Sequence, residues 1–317
     1  MTEPRHRIVN RLHVDREAEI NRLINGLRAT PATIEPKYFY DQLGCALYAA
    51  ICQLDEYYPT RTEREIFHRF RQQIAGVIGT GGTFVDIGAG DCDKALGWLP
   101  YIAPARYLAV DIAGLSLDMA LAKMAPEFPD IEMTGLVTDF SRTLDIPAEL
   151  MTAPVTLFYP GSSIGNFAPT DAIRFMNEMR RYTVGAGLLI GVDAKKDRAR
   201  LDAAYADALG VTAAFNLNAL RHINRVIGTD FIESAWRHVG AYNEIEGRIE
   251  MHLQAATEQR VKIDGEVRAF KAGERIHSEN SYKYSREEFE AMLRAAGFTK
   301  ISVWTNESKA FWVFYAS

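Results

Sequence analysis

Phe84-Val85-Asp86-Ile87-Gly88-Ala89-Gly90 sets two glycines at the end of a short apolar run. Glycine at that point lets the backbone turn tightly and lets a ligand approach with no Cβ in the way. Twenty-one residues after Gly90, LAVDI ends on Asp111, where a carboxylate can accept both hydroxyls of a ribose. The bland reading is a tight strand-to-helix turn with a helix-capping aspartate. A dinucleotide site asks for a third glycine, so that a pyrophosphate can rest on a helix N-terminus. GAGDCDKA instead carries Asp91 and Asp93, which would repel phosphate and tolerate a cation. S-adenosylmethionine fits that demand, since it bears a sulfonium and an ammonium and no phosphate, and Asp86 would add to an acidic lip. Thr138-Asp139-Phe140 closes a further apolar run with an acid that can accept from an adenine amino group and an aromatic that can stack on the ring. The chemistry expected is methyl transfer, and a nicotinamide is disfavoured.

A second set of reactive types lies in IHSENSYKY, residues 276–284. As a strand it would put Glu279, Ser281 and Lys283 on one face and Ser278, Asn280 and Tyr282 on the other. Taken alone, an acid, a hydroxyl and a cation in a row read as a solvated sheet face. The seven histidines are scattered without metal-ligand spacing, so no metal is expected. His252 and His277 flank this region with no assigned role, and Lys283 has none either.

The elements that must carry these groups follow from periodicity. Apolar residues at helical spacing predict an amphipathic helix over 13–29, a helix around CALYAAICQL, and another over TEREIFHRFRQQIAGVI after Pro59, with Thr60 or Thr62 as its cap. From Thr83, five apolar runs (TFVDIGAG, RYLAVDI, IEMTGLVTDF, PVTLFYPGS and GAGLLIGVDA) alternate with helical patterns, which means a parallel α/β sheet. After Asp193 the alternation stops. A long polar helical stretch is followed by antiparallel strands, with a hairpin at Asp264-Gly265. SREEFEAMLRAAGF is then a capped helix, and KISVWTN and AFWVFYA are two closing strands that suit a class I, Rossmann-like methyltransferase sheet. The expected division is a methyltransferase domain over 62–196 plus 287–317 and a discontinuous α+β substrate-binding domain over 1–61 plus 197–286.

With 317 residues, 48% of them hydrophobic, the chain has ample material for two cores. A net charge of −5 and no basic run argue against a nucleic-acid partner. No apolar stretch approaches membrane-spanning length. The N-terminal MTEPRHRIVNRLHV is charged and lacks the apolar core of a secretion signal. Three cysteines without CxxC spacing fit reduced thiols, so a cytoplasmic protein is expected, working as a monomer on a small molecule.

Seven phrases, FYDQLG, EYYPTRTE, DIGAGDCDKA, FYPGSSIGNF, GVTAAFNLNAL, IEMHL and IHSENSYKY, together resemble the histidine-specific Nα-methyltransferases that make hercynine on the way to ergothioneine. The resemblance runs from about residue 37 to the C-terminus. It implies that Gly88, Lys94, Asp111, Asp139 and Phe140 contact S-adenosylmethionine, and that Tyr40 reaches towards the methyl-transfer site. For the amino acid it points to Tyr57, Gly161, Asn166, Tyr205, Met251, Glu279 and Ser281. GCALY departs from the family's GSELF, with Cys45, Ala46 and Tyr48 in place of serine, glutamate and phenylalanine.

Within that resemblance, Asn166 and Tyr205 are expected to hold the substrate carboxylate and amine. Tyr57, Glu279 and Ser281 would hold the imidazole, and Tyr40 would accept or relay the amine proton. The rival readings are methylation of another free amino acid, such as tryptophan or tyrosine, and a cofactor-binding protein without catalysis.

Overall fold

A computed structural model of the chain describes residues 6–12, 15–140 and 143–317. The first positions of the N-terminal segment and the start of the helix expected from residue 13 lie outside the described residues. From the N-terminus, strand β1 (His6–Asn10), helix α1 (Arg16–Arg28), the short β2 (Ala32–Thr33), α2 (Gln42–Ile51) and α3 (Tyr58–Ile78) come first. The α/β stretch follows as β3 (Thr83–Ile87), α4 (Asp93–Leu96), α5 (Leu99–Ile102), β4 (Arg106–Asp111), α6 (Gly114–Met124), β5 (Glu132–Val137), β6 (Val155–Tyr159), α7 (Pro169–Arg180) and β7 (Leu188–Asp193). Helices α8 (Arg198–Tyr205) and α9 (Val211–Ile227) lead to strands β8 (Trp236–Asn243), β9 (Arg248–Ala255), β10 (Gln259–Ile263), β11 (Glu266–Phe270) and β12 (Arg275–Tyr282). Helix α10 (Arg286–Ala295), β13 (Ile301–Thr305) and β14 (Phe311–Ala316) close the chain.

Two compact units divide this chain: Met1–His13, Arg61–Ala194 and Tyr284–Ser317 in one, Val14–Thr60 and Lys195–Lys283 in the other. The first unit is built on an eight-stranded sheet in the order β1-β5-β4-β3-β6-β7-β14-β13. Its strands run parallel except β14, which is antiparallel to both β7 and β13. The central strands TFVDI, LLIGVD and FWVFYA are buried at every position, as expected where helices cover both faces. Edge strands β1 and β13 are mostly part-exposed.

The strand at His6–Asn10 differs from the expected division, which put 1–61 in the substrate-binding domain. HRIVN is too short and too charged to read as a strand, yet it pairs in parallel with β5, from His6 opposite Met133 to Asn10 opposite Val137. Gly135 eases the packing: a Cβ there would stand 2.7 Å from the tip of Ile8 and 3.2 Å from the tip of Leu121. Helix α3 also starts earlier than expected, at Tyr58 with Pro59 in its first turn, so Thr60 and Thr62 lie inside the helix and do not cap it. Ser285 and Glu288 do form a reciprocal capping box on α10.

The second unit holds the sheet β2-β12-β9-β8 and a separate β10–β11 hairpin. Asp264 and Gly265 both take positive φ, 50° and 78°, the backbone of a type I′ turn. Leu23, Leu27, Phe39, Phe215, Ile249, Leu253 and Ile276 belong to one buried core there. Ile249, Met251, Leu253 and Ala255 alternate as the buried face of β9.

Candidate active site

The glycine loop after β3 takes the conformation its sequence demands. Gly88 and Gly90 have φ of 72° and 57°, a left-handed region that other residues enter at a cost. A Cβ at Gly88 would touch the Phe140 ring at 3.4 Å, whereas one at Gly90 would meet nothing within 4 Å. The Gly90 N–H donates to Asp111 Oδ2 at 2.9 Å, and the Ala113 N–H donates to Asp111 Oδ1 at 3.0 Å. Each carboxylate oxygen keeps a second lone pair, so the acid at the end of β4 is both braced and able to accept. Phe140 lies parallel to Phe175, which stacks in turn on Phe167. An open glycine turn, a braced acid and a fixed aromatic ring fit an adenosyl ligand. Asp86 is not at a lip. It is buried, takes a hydrogen bond from Tyr107 at 3.0 Å, and is pushed up to about 7 by burial.

Lys94 stands on the short helix α4 just after that loop, and a residue without a role in the sequence reading organises it. Glu63, on α3, is 1% exposed. Its Oε2 accepts from Lys94 Nζ at 2.8 Å and its Oε1 from the Gly161 N–H at 2.7 Å. One buried carboxylate thus ties helix α4, which follows the glycine loop, to the PGSS loop after β6. Gly191 on β7 leaves room for it, since a Cβ there would lie 2.0 Å from Glu63 Oε1. Gly161 has φ of 80°. Asp139 is half-buried just past β5, and Asn166, an exposed residue, ends the short 3₁₀ turn Ser163–Asn166. Glu63 is the final residue of EYYPTRTE, so a sequence signal existed.

The second unit gathers Tyr40, Tyr57, Tyr205, Met251, Glu279 and Ser281. Strand β12 does not alternate simply: its register against β9 shifts between His277 and Glu279, leaving Ser278 as an extra residue. The bulge puts Ile276 and Glu279 on the same side, so Glu279 and Ser281 face inward with the apolar residues. Glu279 is 9% exposed, Ser281 5% and Lys283 1%, which overturns the solvated-face reading of the isolated segment. Glu279 sits opposite Met251, and Ser281 opposite Ile249. Ser278 Oγ donates towards Asn216 Oδ1 at 2.9 Å and the Met251 carbonyl at 3.0 Å, which anchors the bulge.

Aromatic side chains surround this face. Tyr40 lies edge-on to Tyr48 and Phe215, with ring centroids 5.8 and 5.6 Å away, and Tyr57 lies edge-on to Tyr205 at 6.1 Å. Desolvation of the hydroxyl, and then the Glu279 charge, hold the Tyr40 phenol above its ordinary range, while 42% of the residue as a whole stays exposed. Burial does the same for Tyr48 and Tyr57, which share a hydrogen bond. These phenols stay neutral at physiological pH. Tyr205 OH and Ser281 Oγ are 2.9 Å apart, and Lys283 Nζ lies 2.9 and 2.7 Å from them. His252 and His277 are half-buried and pack ring to ring at 5.2 Å. Burial first, then His277, pushes His252 down to about 4. Among the described residues no group of three or more His, Cys, Asp or Glu could hold a metal ion, and no helix is long and apolar enough to cross a membrane.

A parallel sheet closed by one antiparallel strand, with a glycine turn and terminal acids on adjacent strands, defines a class I S-adenosylmethionine-dependent methyltransferase. Residues 19–317 match the family model described as histidine-specific methyltransferase, SAM-dependent, and the chain belongs to that family. It is 38% identical over 315 residues to a histidine N-alpha-methyltransferase of Mycolicibacterium smegmatis, covering 96% of this chain and 97% of that one. A histidine N-alpha-methyltransferase of Mycobacterium tuberculosis is 35% identical, over 90% of this chain and 91% of its own. Ergothioneine biosynthesis protein 1 of Neurospora crassa is 33% identical over 87% of this chain and 32% of its own length. The protein is therefore an enzyme whose methyl donor is S-adenosylmethionine and whose acceptor is a small molecule of the amino-acid class.

Proposed function

We propose that the enzyme methylates the α-amine of L-histidine three times to give hercynine, the first step towards ergothioneine. The observation that carries this reading is the inward face of β12 and β9, where Glu279, Ser281 and Met251 lie side by side. A buried carboxylate can accept from one imidazole N–H, and a hydroxyl can serve the second ring nitrogen. The thioether opposite can pack against the ring. An indole offers a single N–H, so this arrangement favours histidine over tryptophan.

S-adenosylmethionine, when bound, supplies an electrophilic methyl group on its sulfonium. Gly88, Asp111, Asp139 and Phe140 would hold its adenosyl part, with Lys94, fixed by Glu63, beside them on α4. On the acceptor side the task is to present a neutral amine lone pair in line with the S–CH₃ bond, which is mainly positioning and desolvation. An α-amine has a pKa of about 8 in water, so it must lose a proton before each transfer. The shared motifs assign the carboxylate and amine to Asn166 and Tyr205 and the rest of the grip to Gly161 and Tyr57, while Tyr40, a neutral but part-exposed phenol, relays the amine proton to water and does not keep it. Tyrosine faces also stabilise the growing quaternary ammonium by cation–π contact. Since the sulfonium is activated without help, the reaction requires no metal, and activity should survive exhaustive chelation by EDTA. Free Cys45, Cys52 and Cys92 support a reducing, cytoplasmic setting, and a monomer is expected by light scattering.

Mass analysis of products from S-adenosylmethionine mixed with all the common amino acids tests the proposal. Trimethylated histidine is the expected product. Arrest at the monomethyl stage, or preference for another amino acid, overturns it.

A further inference from the structure

Lys283 is 1% exposed, which is rare for lysine, whose charge is costly to bury. An ammonium carries three donors and no acceptor. Ser281 Oγ at 2.7 Å and Tyr205 Oη at 2.9 Å must therefore each accept from it. Those two oxygens lie 2.9 Å apart, with one hydroxyl donating to the other. The ammonium also stands over the Tyr205 ring, 4.8 Å from its centroid. Ser281 on β12, Lys283 just past that strand and Tyr205 at the end of α8 thus form a triangle of hydrogen bonds. An oxygen that accepts a charge-assisted hydrogen bond becomes a stronger donor through its own proton.

We propose that Lys283 is a positioning residue for the amino-acid substrate: its ammonium locks Ser281 and Tyr205 into one arrangement and makes the pair a hydrogen-bond donor to the unprotonated nitrogen of a neutral imidazole. Glu279, two residues from Ser281 on the same inward face, takes the ring N–H. Donor and acceptor are then assigned one to each ring nitrogen, which selects neutral imidazole in a single tautomer. This deepens the histidine reading and rests on it. Lys283 need not touch the substrate; it acts through the two hydroxyl groups.

The test is a double-mutant cycle of Lys283→Met and Ser281→Ala, read as KM for histidine, kcat at saturation and the S-adenosylmethionine Kd by calorimetry. Lys283→Met should raise KM for histidine about tenfold or more, the scale of a charge-assisted hydrogen bond, and leave the S-adenosylmethionine Kd within about twofold. Adding Ser281→Ala to it should cost little more, because the lysine works through that serine. An unchanged KM in Lys283→Met, or costs that multiply in the double variant, overturns the proposal. If Lys283→Met does not fold, Lys283→Arg, which keeps the charge but moves it, must show the same raised KM; a normal KM there overturns the proposal as well. A wild-type enzyme that ignores histidine overturns the substrate reading instead, and that outcome is visible before any variant is made.

Discussion

Glu279 concentrates the substrate recognition of the proposed reaction in one carboxylate. A hydrogen bond to a charged partner contributes about 1.5–3 kcal/mol. Glu279→Ala should therefore raise KM for histidine about tenfold to a hundredfold while the S-adenosylmethionine affinity stays nearly constant, as steady-state kinetics and calorimetry would read. A normal KM removes Glu279 from the site. Asp86 makes a different residue-scale prediction. Its pKa in the folded chain is raised to about 7 by burial, against about 3.9 in the unfolded chain. Between these values the folded state holds a proton that the unfolded state has released, so stability falls as pH rises from about 4 to 7 and is flat beyond. Asp86→Asn keeps an acceptor for Tyr107 but cannot titrate. Its melting temperature relative to wild type should climb across that window, by the equivalent of a few kcal/mol at most, about 1.4 per pKa unit. A constant difference from pH 4 to pH 8 would contradict the buried-acid account.

Individual elements decide which of these residues can cooperate. Strand β12 carries a period-two pattern whose meaning depends on the bulge at Ser278. Counted as a plain strand, Ile276 and Glu279 fall on opposite faces; the bulge brings them to the same one. Ser278 is completely buried and bonded to Asn216 and to the Met251 carbonyl. Ser278→Ala removes the single O–H proton that these two buried acceptors share, a loss of about 1–3 kcal/mol. The expected outcome is a lower melting temperature and a raised KM for histidine, with the S-adenosylmethionine Kd unchanged because the altered strand belongs to the second unit. Helix α3 acts in the same way in the first unit. It delivers Glu63 to two partners that are 67 residues apart in sequence, Lys94 on α4 and Gly161 in the loop after β6. Glu63→Ala would leave the Gly161 N–H without its acceptor and Lys94 without its carboxylate. Methyl-donor affinity is the readout that should weaken.

At the scale of the molecule, the eight-stranded sheet includes a strand from the first residues of the chain. Deleting residues 1–12 would uncover β5 along its edge and expose the surface that Ile8 covers at Gly135. A loss of about 1–2 kcal/mol should lower Tm by about 3–6 °C for a unit of this size, as calorimetry would register, while the histidine KM holds. An unchanged Tm would make β1 a decoration of the sheet.

Local pattern alone was enough for the parallel α/β sheet, the excursion after Asp193, the Asp264-Gly265 hairpin, the Ser285 capping box and the glycine turn. Each of these depends on neighbours within a few residues or on a repeated period, and such information is linear. The shared motifs named the family for the same reason: they are contiguous strings. Four features depended on chain distant in sequence. Residues 6–10 became a strand because β5, over a hundred residues away, offers an edge for them to pair with. Glu63 became a clamp because Lys94 and Gly161 fold back onto α3. Glu279 and Ser281 turned inward because β9 sets the register that makes Ser278 a bulge. Lys283, two residues past Ser281 on one strand face, was legible as a neighbour of that serine but not as its partner. Burial and the Tyr205 hydroxyl decide that, and tertiary packing brings Tyr205 from 78 residues upstream.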